Sequence, residues 1–269
     1  MARIKVGDLD IVSILDLEAP FPMAGVFPDV PADAFAPYRP LYPNAFHEAD
    51  VKLGISCFVI AGGGQAILVD TGLGPNVNPA APGKLVESLR AEGFAAEDIG
   101  TVLFTHLHPD HVGWNFQDGM PTFPNARYVV QQVDWDFFST RKDEEVVQAQ
   151  VLPLEKTGRL ELVSGETQLT PQITLVPTPG HTPGHQSVIV ASGGTRAFIA
   201  GDVGHHPAQA QETAWRVGFD NDAAEASATR ERVMAQLERD GDNACFGHFP
   251  KPGFGVIVRE GGRRIFRAL

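Results

Sequence analysis

Four short apolar segments of this chain each end, within a few residues, at histidine or aspartate. Runs of β-branched and aromatic residues bounded by glycine and proline predict strands. Ligating side chains at the same ends of several strands can converge at one rim of a sheet, where the backbone holds them rigidly. The segments and the residues that follow them are Val102–Phe104 with His106 to His111, Ile173–Val176 with His181, Arg196–Ala200 with Asp202, and Asn243–Phe246 with His248. The sequence therefore predicts a cluster of imidazoles and carboxylates at one edge of a sheet.

Strand-like and helix-like patterns alternate in blocks along the 269 residues. The predicted strands are Ile55–Ala61, Ala66–Asp70, Thr101–Thr105, Ala126–Gln131, Ile173–Val176, Ser187–Val190, Arg196–Ala200, Asn243–Phe246 and Phe254–Arg259. Helical spacing of apolar residues predicts helices at Gly83–Glu92, Val133–Ser139, about Asp143–Lys156, and Asp222–Arg239. This alternation is typical of a layered α/β fold, and we expect residues 1–269 to form a single domain.

Residues 20–43 differ from the rest of the chain because they hold seven of its 21 prolines. Five aromatic residues are interleaved with these prolines: Phe21, Phe27, Phe35, Tyr38 and Tyr42. So much proline is incompatible with a long helix or a central strand. We expect a surface arm that is packed by its own aromatic side chains or that contributes to a homodimer contact. The alternative is a flap over a substrate pocket.

The segment His106-Leu107-His108-Pro109-Asp110-His111 carries the densest set of candidate metal ligands. Imidazole and carboxylate together suit a borderline metal such as zinc. Residues two apart on an extended segment point the same way, so His106 and His108 can share one ion. A tight turn at Pro109 would re-aim Asp110 and His111 toward a second ion.

Composition excludes several function classes. With 21 Lys and Arg against 33 Asp and Glu, the net charge is −12, which disfavours binding to nucleic acid or to an anionic membrane. Two cysteines, Cys57 and Cys245, are too few for a disulfide framework or a cysteine-based zinc site. The first residues lack the apolar core of a signal peptide, and no apolar stretch is long enough to span a bilayer. We therefore expect a cytoplasmic protein.

Taken together, the motifs resemble those of the metallo-β-lactamase-fold hydrolases. They are the His106–His111 segment, Thr178-Pro179-Gly180-His181-Thr182-Pro183-Gly184-His185, Gly201-Asp202, Gly247-His248 and the upstream Leu68-Val69-Asp70-Thr71-Gly72. Their order along the chain also matches. The resemblance implies an αββα four-layer sandwich with a dinuclear metal site at one edge, nearest to the lactonase and methyl parathion hydrolase-like branch.

The resemblance also implies a role for each candidate ligand. His106, His108 and His181 would hold the first metal, whereas Asp110, His111 and His248 would hold the second. Asp202 would bridge the two ions. Asp70 would orient the site without touching metal, although an aspartate that caps the turn before Thr71 is an equally reasonable interpretation.

Several other residues near these motifs could take part. The quorum-sensing lactone hydrolases of this superfamily have a tyrosine three residues after the bridging aspartate, and here that position is His205. Either His205 donates the hydrogen bond that the tyrosine makes to the substrate carbonyl, or the substrate is handled differently. We expect a structural role for His185. The aromatic residues that could line an apolar pocket are Trp114, Trp135, Trp215 and Phe219, with Trp114 the first candidate.

These residues predict an enzyme that uses metal ions to hydrolyse an ester-like bond. The expected substrate is a small-molecule lactone. Two divalent ions, with zinc expected, would share a hydroxide that attacks the carbonyl, while Asp110 carries the proton. A phosphotriester or aryl-ester hydrolase on the same site is the alternative. A mononuclear iron dioxygenase of the same fold is a rival from a different class, and non-catalytic metal binding is a further one.

Overall fold

The computed structural model of the protein describes residues 3–62, 64–75 and 81–269. In chain order its strands are β1 (Arg3–Val6), β2 (Leu9–Phe21), β3 (Phe46–His47), β4 (Asp50–Ala61), β5 (Ala66–Val69), β6 (Ile99–Leu103), β7 (Phe116–Gln117), β8 (Met120–Pro121), β9 (Arg127–Gln131), β10 (Leu160–Val163), β11 (Thr167–Thr170), β12 (Ile173–Pro177), β13 (Gln186–Ser192), β14 (Thr195–Ile199), β15 (Asn243–Cys245), β16 (Phe254–Glu260) and β17 (Arg263–Ala268). The nine predicted strands are all present, with bounds shifted by a few residues.

The helices are α1 (Met23–Val26), α2 (Leu85–Ala91), α3 (Pro109–Val112), α4 (Gln132–Ser139), α5 (Pro153–Lys156) and α6 (Ala223–Asp240). A regular helix over Asp143–Lys156 was wrong, because a π-helical turn at Val147–Val151 interrupts it. The side chain of Gln150, in this turn, is buried and hydrogen-bonds both the backbone N–H and the carbonyl of Phe116. The wider π-helical turn therefore places the Gln150 side chain where it can bond to the loop at Phe116, a position that a regular α-helix would not give it.

Two mixed sheets form the centre of the molecule. The first has the order β1-β2-β4-β5-β6-β9-β10, with β3 paired to β4, and the second has the order β11-β12-β13-β14-β15-β16-β17. A buried cluster that includes Phe58 and Leu175 lies between the two sheets. Leu89 of α2 packs on the outer face of the first sheet, and Leu237 of α6 packs on that of the second. These three apolar layers confirm the αββα sandwich.

Strand direction places the candidate ligands at one edge. β5, β6 and β9 are parallel to one another in the first sheet, and β14 is parallel to β15 in the second. The carboxyl ends of parallel strands meet at the same edge of a sheet, and loops there form the common ligand sites of α/β folds. His106 follows β6, Asp202 follows β14 and His248 follows β15, so these three side chains start from neighbouring backbone positions.

The proline-rich segment packs against its own chain. β2 continues through Pro20, which pairs with Lys52 of β4. This end of β2 lies beyond the residues that pair with β1. After β2, the chain turns into short helical segments whose Phe27 and Phe35 are fully buried. They form one apolar cluster with Val217 and the partly buried Trp215. The homodimer contact stays a prediction.

Among the residues that the structure describes, no helix combines the length and the apolar character needed to cross a membrane.

Candidate metal centre

The motif from His106 to His111 forms a tight loop at the end of β6. The backbone N–H and the hydroxyl of Thr105 both donate to the carboxylate of Asp70, at 2.7 and 2.8 Å, which fixes the start of this loop. Pro109 then occupies the first turn of α3, where its missing N–H has no cost. The turn brings the ring of His111 to 4.0 Å from that of His106 between centroids, and Oδ2 of Asp110 lies 3.7 Å from Nε2 of His111.

Three histidines gather around one carboxylate oxygen of Asp202. The Nδ1 atom of His108 lies 3.0 Å from Nε2 of His106 and 2.9 Å from Nε2 of His181. Oδ2 of Asp202 is 3.1 Å from the His181 nitrogen and 3.6 Å from the His106 nitrogen. Four ligands at zinc-bond length lie about 3.4 Å apart in a tetrahedral site, so this spacing suits a single zinc ion.

A second group of ligands also lies beside the Asp202 carboxylate. Oδ1 of Asp202 is 3.3 Å from Nε2 of His111, and Nε2 of His248 is 3.2 Å from both Oδ1 and Oδ2. Oδ2 of Asp110 lies 3.7 and 3.5 Å from the same two nitrogens. The structure therefore brings all seven predicted ligands together, in the two groups that the family resemblance implies, with Asp202 between them.

Four of these imidazoles have one nitrogen held from outside and the other directed inward. Nδ1 of His111 bonds to Asp70 at 2.9 Å, Nδ1 of His181 to Asp220 at 2.9 Å, and Nδ1 of His248 to the Gly54 carbonyl at 2.7 Å. Nδ1 of His106 lies 3.1 Å from the Thr105 hydroxyl. In neutral imidazole, an Nδ1–H that donates outward leaves the Nε2 lone pair facing inward. Metal-binding histidines in proteins are oriented by such outer hydrogen bonds.

The charges in the cluster favour a cation. Burial would raise the pKa of Asp202, but the surrounding imidazoles, His248 foremost, hold it well below its usual range. Burial likewise opposes a charge on His181, yet Asp202 and Asp220 raise its pKa to about 9. Burial lowers the pKa of His108 to about 3. The centre thus contains ionised carboxylate beside imidazoles, and a divalent metal would displace the protons that some of these imidazoles, such as His181, carry without it.

Unpartnered buried atoms provide an independent test of whether metal fits. Within the described part of the chain, Nε2 of His111 and Oδ1 of Asp202 have no hydrogen-bond partner, although both are fully buried. Such atoms are costly unless another group satisfies them. Both point at the position that the second group surrounds. Each of the two groups can offer three ligand atoms to one ion, and the residues present therefore fit a pair of metal ions.

The remaining predicted residues lie close to the centre. Nε2 of His205 is 3.1 Å from Oδ2 of Asp202, and its ring stacks on that of His248 with centroids 5.0 Å apart. His185 lies behind the centre, where Nε2 accepts the Asp202 backbone N–H at 2.9 Å and Nδ1 is within 3.0 Å of the Thr178 carbonyl. It therefore orients Asp202, in keeping with the structural role expected. Asp70 contacts His111, as its orienting role implies.

Sequence reasoning missed three buried charged residues behind the centre. The Asp134 carboxylate accepts the backbone N–H of Leu107 at 2.9 Å and that of Gly184 at 3.0 Å, which joins two ligand-bearing loops. Asp220 accepts from His181, and Arg230 pairs with Asp220. The local sequence around each of them is indistinguishable from that of a solvated helix face or a turn.

A cavity of about 430 Å³ opens directly onto the two ligand groups. Its floor contains ligands that include Asp110, His181 and Asp202, as well as His205. Its walls are largely apolar and come from β2, β4 and nearby loops: Leu17, Ala19, Phe21, Leu53, Ile55 and Phe219. Among the described residues that line it, none is lysine or arginine.

The expectation that Trp114 lines this cavity was wrong. Its ring is buried in the core between the first sheet and the helices, and its indole N–H donates to Asp16 at 2.8 Å. A buried indole N–H needs such a partner, and Asp16 supplies it from a position 98 residues away. Of the four aromatic candidates, Phe219 lines the cavity.

Comparison with known protein families gives a match over most of this chain. Residues 51–248 match the metallo-beta-lactamase superfamily. The chain belongs to that superfamily. The match contains all seven candidate ligands, from His106 to His248.

Relatives within the metallo-beta-lactamase superfamily include characterised lactonases. An N-acyl homoserine lactonase from a Bacillus species is 26% identical over 184 residues, covering 68% of this chain and 66% of that protein. The aligned region thus spans slightly less than two thirds of that relative. A crystal structure of hydrolase AbOPH in the beta lactamase superfamily has a TM-score of 0.87 at 26% identity, covering 99% of this chain and 96% of that one. AidC, a dizinc quorum-quenching lactonase in complex with a product, has the same fold, with a TM-score of 0.86 at 22% identity and coverage of 99% and 96%.

Proposed function

We propose that this metallo-beta-lactamase superfamily member is a hydrolase that uses two divalent metal ions, with zinc expected, to cleave a neutral lactone or related ester. The observation that carries the proposal is the Asp202 carboxylate. It lies between two groups of three further ligands, with Oδ2 3.1 Å from Nε2 of His181 and Oδ1 3.3 Å from Nε2 of His111, and both groups open onto one apolar cavity. The named N-acyl homoserine lactonases among its relatives support a lactone as the substrate class.

In this proposal the seven ligands have distinct tasks. His106, His108 and His181 hold one ion, Asp110, His111 and His248 hold the other, and Asp202 joins the two sites. When bound, the metal pair supplies Lewis-acid chemistry, because it lowers the pKa of water toward neutrality and polarises a carbonyl oxygen. The protein keeps the donors rigid through the outer hydrogen bonds of the histidines.

One ligand, Asp110, and one residue beside the ligands, His205, would act on the substrate. Asp110 is the most exposed carboxylate of the centre, with 27% of its side chain accessible, and it faces the cavity. Burial opposes its charge, but His111 and His248 hold its pKa below the usual value, so it is ionised and able to accept the proton released from attacking water. His205 lies on the cavity floor, where a neutral imidazole can donate one hydrogen bond to a carbonyl oxygen.

The side chains that line the cavity indicate which charge the substrate carries. A phosphate monoester or a carboxylate-bearing substrate needs a cation beside its anionic group, beyond the metal ions themselves. The described lining residues include no lysine or arginine, so the cavity suits a neutral, partly apolar molecule. Its volume of about 430 Å³ is within the range of small-molecule sites.

A neutral phosphotriester or aryl ester is the second candidate substrate class. Both fit the apolar walls of the cavity as well as a lactone does. A mononuclear iron dioxygenase is disfavoured, because Asp110, His111 and His248 lie together as a second group that such an enzyme would leave unused.

The test combines metal analysis with a substrate panel. The protein, loaded with zinc, is assayed with N-acyl lactones, aryl esters and phosphotriesters, and with an anionic phosphodiester as the charged control. We expect about two zinc ions per chain, turnover of a lactone that chelator abolishes, and no turnover of the phosphodiester. A single bound iron with oxygen uptake would contradict the proposal, as would chelator-resistant hydrolysis.

A further inference from the structure

A fully buried ion pair lies behind His181, on the side away from the cavity. Nδ1 of His181 is 2.9 Å from Oδ1 of Asp220, and Oδ2 of the same carboxylate is 3.5 Å from an Arg230 guanidinium nitrogen. The side chains of Asp220 and Arg230 both have 0% exposure. Buried arginine is rare in proteins and strongly unfavourable unless its charge and its donors are satisfied.

The remaining donors of Arg230 hold the segment that follows Asp202. Its Nε atom donates to the carbonyl of Val203 at 2.7 Å, and Nη1 donates to the carbonyls of Thr213 and Trp215 at 2.8 and 3.0 Å. Val203 directly follows Asp202, whose carboxylate joins the two ligand groups. One guanidinium therefore contacts both the partner of His181 and the backbone beside Asp202.

Helix α6, which carries Arg230, is docked on the loop that carries His181. The backbone N–H of Asp222 donates to the Gly180 carbonyl at 2.9 Å, and that of Asn221 donates to the His181 carbonyl at 3.0 Å. Gly180 has φ +125°, and a Cβ atom there would lie 2.2 Å from the backbone nitrogen of Ala226. This close approach admits only glycine, so the loop and the start of α6 behave as one rigid unit.

We propose that Asp220 and Arg230 are positioning residues that set the zinc affinity of the first ligand group. Asp220 fixes the ring of His181 so that Nε2 faces the ion, and Arg230 holds Asp220 in register with the Asp202 segment. A histidine ring held by a carboxylate is a stronger ligand than a free one, and loss of such a partner typically costs about 10- to 100-fold in metal affinity. The inference rests on the proposed metal centre and needs no knowledge of the substrate.

The experiment measures zinc binding by metal-free protein against a chromophoric chelator. Asp220→Asn keeps the shape of the side chain but removes its charge. Asp242→Asn is the matched control, because Asp242 is also a nearly buried carboxylate paired with an arginine, at 3.3 Å from Arg196, and it precedes β15 at the end away from the ligands. The visible spectrum of the cobalt(II)-substituted proteins reports ligand geometry and would not respond to a general loss of stability.

We expect Asp220→Asn to weaken binding of one zinc ion about 10- to 100-fold and to change the cobalt spectrum, with Asp242→Asn within about twofold of wild type. If the single variant does not fold, the Asp220→Asn/Arg230→Met double variant removes both charges of the pair, so that no unpaired charge stays buried. It should show the same loss of zinc affinity. Wild-type affinity and spectrum in either folded variant would overturn the inference and leave the proposed function intact. An equal loss in Asp242→Asn would also overturn it, and a wild-type protein that binds no zinc would overturn both proposals.

Discussion

His205 and His206 are adjacent in the chain and both are almost fully buried, yet they lie in opposite surroundings. The ring of His205 faces Asp202 and stacks on His248 in the metal centre. The ring of His206 points into the proline-rich segment, with its centroid 4.8 Å from that of Phe46 and 5.5 Å from that of Phe35. One residue step thus separates a polar, ligand-rich region from an apolar, aromatic one.

The two regions show which force decides the charge of a buried histidine. Around His206, burial is the dominant influence and lowers the pKa to about 3. In the metal centre, burial acts in the same direction on His248, but Asp202 and Asp110 outweigh it and raise the pKa of that residue. The aromatic region therefore excludes positive charge, whereas the carboxylates of the metal centre favour it at His248, although burial lowers the pKa of His205 to about 4. The following variants test this contrast, beginning with the largest expected effect.

Asp202→Asn should have the largest effect, because it removes the charge that both ligand groups share. We expect the zinc content to fall below two per chain and kcat/KM to fall by about 10³-fold or more, since several kcal/mol of stabilisation by the metals is lost. Metal analysis and steady-state hydrolysis of a lactone measure the two effects. Asp242→Asn is again the control, and it should keep both values. Full activity with two zinc ions in Asp202→Asn would refute the bridging role.

Phe35→Ala should damage the aromatic region and spare the metal centre. Phe35 is fully buried, 5.3 Å from Phe27 and 4.5 Å from Trp215 between ring centroids. Removal of a buried phenylalanine typically lowers the free energy of unfolding by about 3–5 kcal/mol. Denaturant unfolding checks this loss, while the zinc content of the folded protein should stay at the wild-type value.

The control for this variant comes from the same segment. Leu41 is 48% exposed, so Leu41→Ala should change the free energy of unfolding by about 0.5 kcal/mol or less. If Phe35→Ala were equally mild, or if it released zinc, the separation of the two regions would be wrong.

The same contrast explains how much could be predicted from the sequence. The seven ligands could be placed because each follows a strand closely, and because imidazole and carboxylate at that spacing have few other uses. The aromatic segment left two hypotheses open, since proline and aromatic residues do not specify what they pack against. In the structure Phe27 and Phe35 pack on Trp215, and Phe21, at the end of β2, lines the cavity, while the flap stays a prediction.

The missed features depend on contacts between distant residues. Asp220 accepts a hydrogen bond from His181, 39 positions away in the sequence. Asp16 accepts one from the indole N–H of Trp114, which lies in the core and not in the cavity. Arg230 has the sequence context of a solvated helix residue but is fully buried. Strand β17 was missed because its buried positions, Arg264 and Phe266, do not form an apolar alternation, and pairing with β16 provides the missing stabilisation.

His205→Phe should reduce turnover without loss of metal. If His205 donates a hydrogen bond to the substrate carbonyl, its removal should lower kcat about 100-fold, the usual effect of losing one such donor. His205→Tyr, which restores the residue of the related lactonases, should lie within about tenfold of wild type. Unchanged kcat in His205→Phe would contradict the donor role. Loss of zinc would contradict it too, because His205 would then be a ligand to the metal.

The smallest effect concerns how stability changes with pH in His206→Asn, and it is confined to acid. The folded protein keeps His206 neutral down to a pKa of about 3, whereas in the unfolded chain the imidazole takes up a proton near pH 6.5. Below pH 6.5 the unfolded state therefore binds the additional proton, and the wild type loses up to about 1.4 kcal/mol of stability per pH unit from this residue. Asparagine can still accept the Ala208 N–H that Nδ1 accepts at 3.1 Å, but it does not titrate.

The free energy of unfolding of His206→Asn should consequently fall less steeply than that of wild type between pH 6.5 and 5.5, by about 1 kcal/mol, because the unfolded imidazole is already half protonated at pH 6.5. Denaturant titrations at the two pH values measure this difference. His47→Asn is the matched control, because His47 is exposed and its side chain is in water in both states. Parallel pH curves for wild type and His206→Asn would mean that the aromatic region accepts a charged imidazole after all, and the contrast in charge between the surroundings of His206 and those of His248 would then be wrong.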